Sequence, residues 1–224
     1  MNYGRTNTSR RRLKLQSKNA KKKRQSKRGF LKTCLLVFLG LGIVGLIGGG
    51  LLFKSIIDKA PEITDDTLKP SAYITTVFAN DGTTEIGTFV NAGSNRVYRK
   101  LDAIPQDLQD AFVAIEDSRF QEHNGGSTIT QQLIKNRVFP DFPNETTWQK
   151  VQRKVQEWYL AIKTEKTLDK DKILEYYLNT INLGQNTLGV QSASMRYFKK
   201  DVKELTLSEC ATIAAITQNP TLYN

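Results

Sequence analysis

From Thr33 to Phe53 the chain carries no charge for 21 residues, TCLLVFLGLGIVGLIGGGLLF, and Lys32 and Lys54 bracket the run. A stretch of that length crosses the hydrocarbon core of a bilayer as one helix. A cleaved signal peptide fits less well, since its apolar region would be shorter and a small-x-small cleavage site should follow. Thirteen of the 33 Lys and Arg residues fall within 1–32, with no acid among them. That asymmetry predicts a single-pass protein of the cell membrane, N-terminus cytoplasmic and C-terminal domain extracellular. It also removes the nucleic-acid reading of the net charge of +11, because the remaining 20 basic residues face 22 acidic ones. Gly45 and Gly49 have the spacing of a helix-dimerisation face, but glycine is common in such spans.

The organisation expected is a basic tail over 1–32, an anchor over 33–57, a linker over 58–71 and one domain over 72–224. The tail has too few large apolar residues to bury and is predicted to be disordered. Cys34 and Cys210 form neither a disulfide framework nor a metal-spaced cluster. Tyr73–Phe78 and Thr83–Val90 flank Asn80-Asp81-Gly82, which predicts a hairpin, and a further short strand is expected around Arg96–Tyr98. Pro105 suits a first helical turn, and Leu108, Ala111, Phe112 and Ile115 keep helical spacing up to Glu116. Ser127-Thr128 is placed to cap a second helix, Ile129–Asn136. Trp148, Val151, Val155, Trp158, Tyr159 and Ile162 form a wide apolar stripe, so a third helix is expected to bury that face. Asp169 caps a fourth helix through Leu178, and Thr206-Leu-Ser-Glu209 is a capping box opening a fifth, Cys210–Thr217. The fold class is mainly α with a small β-hairpin, preceded by a single transmembrane helix.

Chemistry concentrates between Ala111 and Arg137, AFVAIEDSRFQEHNGGSTITQQLIKNR. Glu116 and Asp117 are adjacent carboxylates at a helix end, either a solvated acidic terminus or the seat of a general base. His123 is the sole histidine, so a metal site built on imidazoles is excluded. Past the glycines, Thr128, Gln132, Lys135 and Asn136 fall on neighbouring helical positions. Their hydroxyl, amide and ammonium donors suit sugar hydroxyls and phosphate oxygens. Glycines there let backbone approach closely, although the Walker spacing is absent. Arg153 and Glu157, at i,i+4, read either as a surface ion pair or, with Lys154, as a second carboxylate flanked by two cations. Two carboxylates facing one groove is the arrangement glycosyl chemistry uses. Tyr176, Tyr177 and Leu178 read as core, with Glu175 and Asn179 on one face positioned to buttress a site.

The set EDxxFxxHxG (Glu116–Gly125), GGSTITQQxxKN (Gly125–Asn136), RKxxE (Arg153–Glu157) and EYYLNxxxxG (Glu175–Gly184) resembles the ordered motifs of the peptidoglycan glycosyltransferases. These occur as the N-terminal module of class A penicillin-binding proteins and as stand-alone enzymes. The resemblance spans roughly 72–224 and implies a lysozyme-like domain that polymerises lipid II outside the membrane, with inversion at C1. It implies that Glu116 is the base acting on the acceptor's 4-hydroxyl and that Glu157 assists departure of the lipid pyrophosphate. Lys135, Arg153 and Lys154 would neutralise the leaving group. Ser127, Thr128, Gln132 and Asn136 would contact sugar or phosphate, while Asp117, Phe120 and His123 shape the motif around Glu116. Lipid II, the nascent glycan strand and the membrane are the partners implied, with other cell-wall synthesis proteins beside them and no nucleic acid. Some members place a divalent cation, magnesium or manganese, on the pyrophosphate.

In this chain His123-Asn124-Gly125 runs straight into Gly126-Ser127, so two motifs that the family separates share a glycine. The domain is therefore expected to be shortened between 123 and 127. No Ser-x-x-Lys occurs, so no transpeptidase site is expected, and the chain reads as a fragment of a bifunctional protein. Two other readings compete with the polymerase: a membrane-anchored module that binds lipid II or glycan without turnover, and a lysozyme-like hydrolase. The cationic cluster weighs against the hydrolase.

Overall fold

The computed structural model describes residues 5–70, 75–89, 96–122, 126–139, 145–184 and 187–218, with backbone alone over 5–31. The chain divides into two units, Met1–Ser55 and Ile56–Asn224.

The first unit belongs to one long helix, α1 (Arg5–Asp58). Disorder expected over 1–32 gives way to helix from Arg5 onward. Lys, Arg, Leu, Gln and Ala are good helix formers, and neither Pro nor Gly interrupts the run from Arg5 to Arg28. Lys32–Asp58 is the one described helix long and apolar enough to cross a membrane, with a mean hydropathy of 2.5.

The second unit is helical with one hairpin. Strands β1 (Thr75–Phe78) and β2 (Glu85–Phe89) pair antiparallel, Thr75 opposite Phe89 and Val77 opposite Gly87. Asp81 organises the turn by accepting from the backbone N–H of Thr83 (2.9 Å) and Thr84 (2.8 Å). The strand expected at Arg96–Tyr98 does not form. Instead the Val97 N–H donates to the Ser192 hydroxyl (3.2 Å) and the Tyr98 hydroxyl to Glu175, so the segment is tied to helices and pairs with no described strand.

The helices are α2 (Asp65–Leu68), α3 (Gln106–Glu116), α4 (Thr128–Val138), α5 (Thr147–Thr167), α6 (Lys170–Leu178), α7 (Val190–Tyr197) and α8 (Leu207–Ile216). The 58–71 stretch, expected as a linker, is part of the packed unit. Thr64 and Thr67 cap α2 reciprocally, Leu68 is fully buried, and Asp65 accepts from the Tyr176 hydroxyl (2.8 Å). Capping boxes open α5 (Thr146 with Gln149) and α8 (Thr206 with Glu209), each worth about 1 kcal/mol. Helix α7 had no signal in the sequence reading. It starts at Gly189, whose φ is +80°, and a Cβ there would lie 3.0 Å from the Asn179 carbonyl. Only glycine fits that approach without a shift.

The core gathers Leu108 and Phe112 of α3, Leu133 and Ile134 of α4, Leu174, Tyr177 and Leu178 of α6, and Ile213 of α8. Phe112 and Tyr177 meet edge to face, 6.0 Å between centroids. Tyr176, Tyr177 and Leu178 are core, as expected. Helix α5 meets its expectation only in part. Trp148, Val151 and Trp158 are about half exposed, Val155, Tyr159 and Ile162 are partly buried, and Arg153, Glu157, Leu160, Ala161 and Thr164 are buried. The buried face joins core residues to the polar groups of the site.

Candidate active site

Glu116 ends α3 and Asp117 is its C-cap. Three hydrogen bonds tie that end to the start of α4. The Thr128 N–H donates to Asp117 Oδ2 (3.2 Å), the Thr128 hydroxyl to the Glu116 carbonyl, and the Gln132 amide, one turn along, to Glu116 Oε2. Gly126 brings the chain into α4 at φ +88°, and a Cβ there would meet Trp158 at 3.5 Å.

Beneath this turn, Glu165 of α5 accepts from the Ser127 N–H (3.3 Å) and the Thr130 hydroxyl (2.6 Å). Its other oxygen lies 3.2 Å from Lys170 Nζ, and that ammonium sits 4.4 Å from the centroid of the Phe120 ring. Neither Glu165 nor Lys170 was singled out from the sequence, since each looks like an ordinary helix charge. Ser127 and Phe120 are fully buried. Phe120 thus sits where a residue shaping the motif belongs, while the buried Ser127 side chain does not face the cavity as a contact to sugar or phosphate would require. Ser127 is the N-cap residue of α4, but its side chain makes no capping hydrogen bond.

Between α4 and α5 lies a cavity of about 220 Å³ lined by Thr128, Gln131, Gln132, Lys135, Lys154 and Glu157. Glu157 is fully buried. One of its oxygens accepts from the Arg153 guanidinium and the other from Lys154 Nζ (2.8 Å). Arg153 is held from its other side by Glu145, with Nε 2.7 and 3.0 Å from the two carboxylate oxygens. Burial disfavours the charged Arg153, but the hydrogen bonds from Glu145 and Glu157 outweigh it and raise its pKa. Lys135 goes the other way. Burial, with the charges of Lys154 and Arg153, lowers its pKa against the opposing pull of Glu157 and Glu116. A desolvated ammonium kept among cations is a ready partner for an incoming anion.

The structure thus brings Glu116, Asp117, Thr128, Gln132, Lys135, Arg153, Lys154 and Glu157 around one region. Asn136 does not line the cavity, and His123 lies outside the described residues. Gln131 and Glu145 were missed. Gln131 looks like its neighbour Gln132, and Glu145 stands eight residues before Arg153 with no helical spacing to reveal it. No group of three His, Cys, Asp or Glu side chains comes together as a metal cage among the described residues.

Glu175 and Asn179 form a separate clamp. Glu175 accepts from the Tyr98 hydroxyl, from Lys172 Nζ (2.7 Å) and from the Leu101 N–H (2.8 Å). Asn179 accepts from the Arg99 N–H and donates to the Arg99 and Glu175 carbonyls, each at 2.7 Å. The clamp fixes the segment leading into α3, so it buttresses Glu116 only through that helix. A larger cavity of about 610 Å³ opens beside it. Its lining is mostly acids and amides with one lysine, Lys100, which suits an anion less well.

Residues 121–224 match the family described as transglycosylase. Penicillin-binding protein 1A of Clostridium botulinum (strain Langeland) is 37% identical over 230 positions, taking in 91% of this chain and 27% of that protein. The Clostridium perfringens (strain 13) protein of the same name is 36% identical, over 93% of this chain and 33% of its own. Penicillin-binding protein 1A/1B of Bacillus subtilis (strain 168) is 34% identical, over 91% and 24%. The chain therefore spans about a quarter to a third of the length of these relatives. An alignment of 230 positions exceeds 91% of 224 residues, so within the matched span the C. botulinum protein carries a couple of dozen residues that this chain lacks.

Proposed function

Because residues 121–224 of this chain belong to the transglycosylase family, we propose that it is a peptidoglycan glycosyltransferase anchored outside the membrane by α1. Its substrate is lipid II, which it joins into β-1,4 glycan strands. The observation that carries the reading is the pairing of Glu116, held by Gln132, with a cavity in which Lys135 and Lys154 stand beside buried Glu157.

Glu116 takes the proton of the acceptor N-acetylglucosamine 4-hydroxyl, for which a fixed carboxylate is a suitable base. The freed oxygen attacks C1 of the lipid-linked muramyl sugar from the face opposite the pyrophosphate, and the α bond becomes β. Lys135, Lys154 and Arg153 meet the charge that develops on the departing pyrophosphate. Both oxygens of Glu157 are engaged by Arg153 and Lys154. Its contribution is therefore to aim these two cations rather than to donate a proton. Thr128 and Gln132 hold the turn and Glu116 in register. The anchor keeps this chemistry at the depth where a lipid headgroup emerges. The residues that the C. botulinum relative has in excess fall, on this reading, at the His123–Ser127 junction.

Fluorescent lipid II supplied to the full chain in detergent tests the assignment. Expected are strands that a muramidase cuts back to disaccharide units, with lipid pyrophosphate released in step. Lipid II bound without strands would favour the binding module, and digestion of finished glycan would favour the hydrolase.

A further inference from the structure

Arg153 is engaged by two carboxylates before any substrate arrives. Glu145 grips Nε through both oxygens, at 2.7 and 3.0 Å, and Glu157 takes the neighbouring nitrogen. With Lys154 on the second oxygen of Glu157, two acids balance two bases, and a pyrophosphate entering the cavity meets little net positive charge from that group. For Arg153 to offer a phosphate its full charge, one carboxylate has to yield.

The two differ in how readily they can. Glu157 sits one helical turn from Arg153, with its side chain 1% exposed and held by a second cation. Stripping it of partners would leave a buried uncompensated charge. Glu145 precedes Thr146, the N-cap of α5, so it lies outside the helical ladder, and its side chain is 16% exposed. It can turn away without breaking a helical hydrogen bond, and the Nε–H that its two oxygens share is a donor that a phosphate oxygen can take in its place.

We propose that Glu145 is a built-in stand-in for the substrate's pyrophosphate: it neutralises Arg153 in the empty site and is displaced when the anion binds. This rests on the assignment of the cavity as the pyrophosphate site. In the empty state the contact keeps a buried guanidinium compensated, and on binding it is exchanged for a phosphate contact, which weakens the grip on the product pyrophosphate and eases its release. Glu145 is a positioning residue, acting through Arg153.

The test is calorimetric titration of the full chain in detergent with inorganic pyrophosphate, for wild type, Glu145→Gln, Arg153→Gln and the double variant, with circular dichroism to confirm folding. Glu145→Ala stands in should the glutamine variant misfold. The expected result is pyrophosphate bound about 3–10-fold tighter by Glu145→Gln than by wild type, the scale of one partly screened charge contact. The gain should vanish when Arg153 is also replaced. Equal or weaker binding by Glu145→Gln, or a gain that persists without Arg153, overturns the stand-in while leaving the cavity assignment intact. Indistinguishable binding by wild type and Arg153→Gln removes the assignment itself, and the inference with it.

Discussion

Around Glu175 and Asn179 the polar groups end on one another: a carboxylate fed by a lysine, a phenol and a backbone N–H, and an amide that bridges two carbonyls and an N–H. Around Lys135 the same residue types work against one another: burial and the cations Lys154 and Arg153 disfavour the half-buried ammonium, while Glu157 and Glu116 favour it. Both clusters are partly buried and both lie in motifs of acids, amides and lysines. In the clamp the ionisation of Glu175 stabilises the fold, and in the cleft that of Lys135 costs stability. Burial alone would raise the pKa of Glu175, yet hydrogen bonds from Lys172, Tyr98 and Leu101 bring it below the ordinary value. The residues that are expensive to keep charged are the ones with work to do on a substrate.

The largest effect is expected at Glu116. Glu116→Gln should lower strand synthesis by about 10²–10⁴-fold, the usual worth of a general base, with melting temperature unchanged to within about 2 °C. Next is Lys135→Met, which separates the two regions most sharply. Turnover should fall by about 10²–10³-fold while the protein becomes more stable, by about 1–3 °C, because a desolvated charge is removed. The sign follows from linkage. Native Lys135 has a lowered pKa, so between that value and its ordinary 10.5 the unfolded chain binds more protons. The cost is present in full at neutral pH and is relieved only as pH rises. A Lys135→Met protein that is less stable than wild type would place lysine with the clamp.

Asn179→Ala should do the reverse. Losing its bridge leaves the Arg99 N–H and carbonyl without these partners, a cost of about 2–3 kcal/mol. Thermal unfolding should come several degrees earlier, while the folded fraction keeps kcat within about threefold of wild type. The smallest effect is on acid stability. Glu175 has a folded pKa below its ordinary 4.5, so its contribution is present above that value and lost as pH falls through the folded pKa. Urea midpoints measured between neutral pH and pH 3 should fall less steeply in Glu175→Gln than in wild type, and parallel curves would show that the clamp gains nothing from the charge.

Much of this architecture can be read without coordinates, because caps and periodicity are local. Pro105, the Thr206 box and the Asp81 turn announce their elements, and Asp169 marks the start of α6 although its side chain makes no capping hydrogen bond. Helix α5 shows where periodicity misleads. Its apolar stripe is about half exposed at Trp148 and Trp158, while Arg153 and Glu157 turn inward, a difference that depends on what α4 presents and not on spacing. Helix α7 was invisible because its start is a glycine held against Asn179, a contact distant in sequence. The same holds for Glu145 and for the Glu165–Lys170 pair, whose partners are set by packing. Ser127 is expected at the substrate for its place in a motif, although packing buries its side chain.

The most direct test of the polymerase account measures lipid II polymerisation and lipid II binding side by side for wild type and Glu116→Gln. The account predicts glycan strands from wild type, none above background from the variant, and dissociation constants that agree within about threefold. Strands formed by Glu116→Gln at near the wild-type rate, or wild type that binds lipid II without extending it, would contradict it.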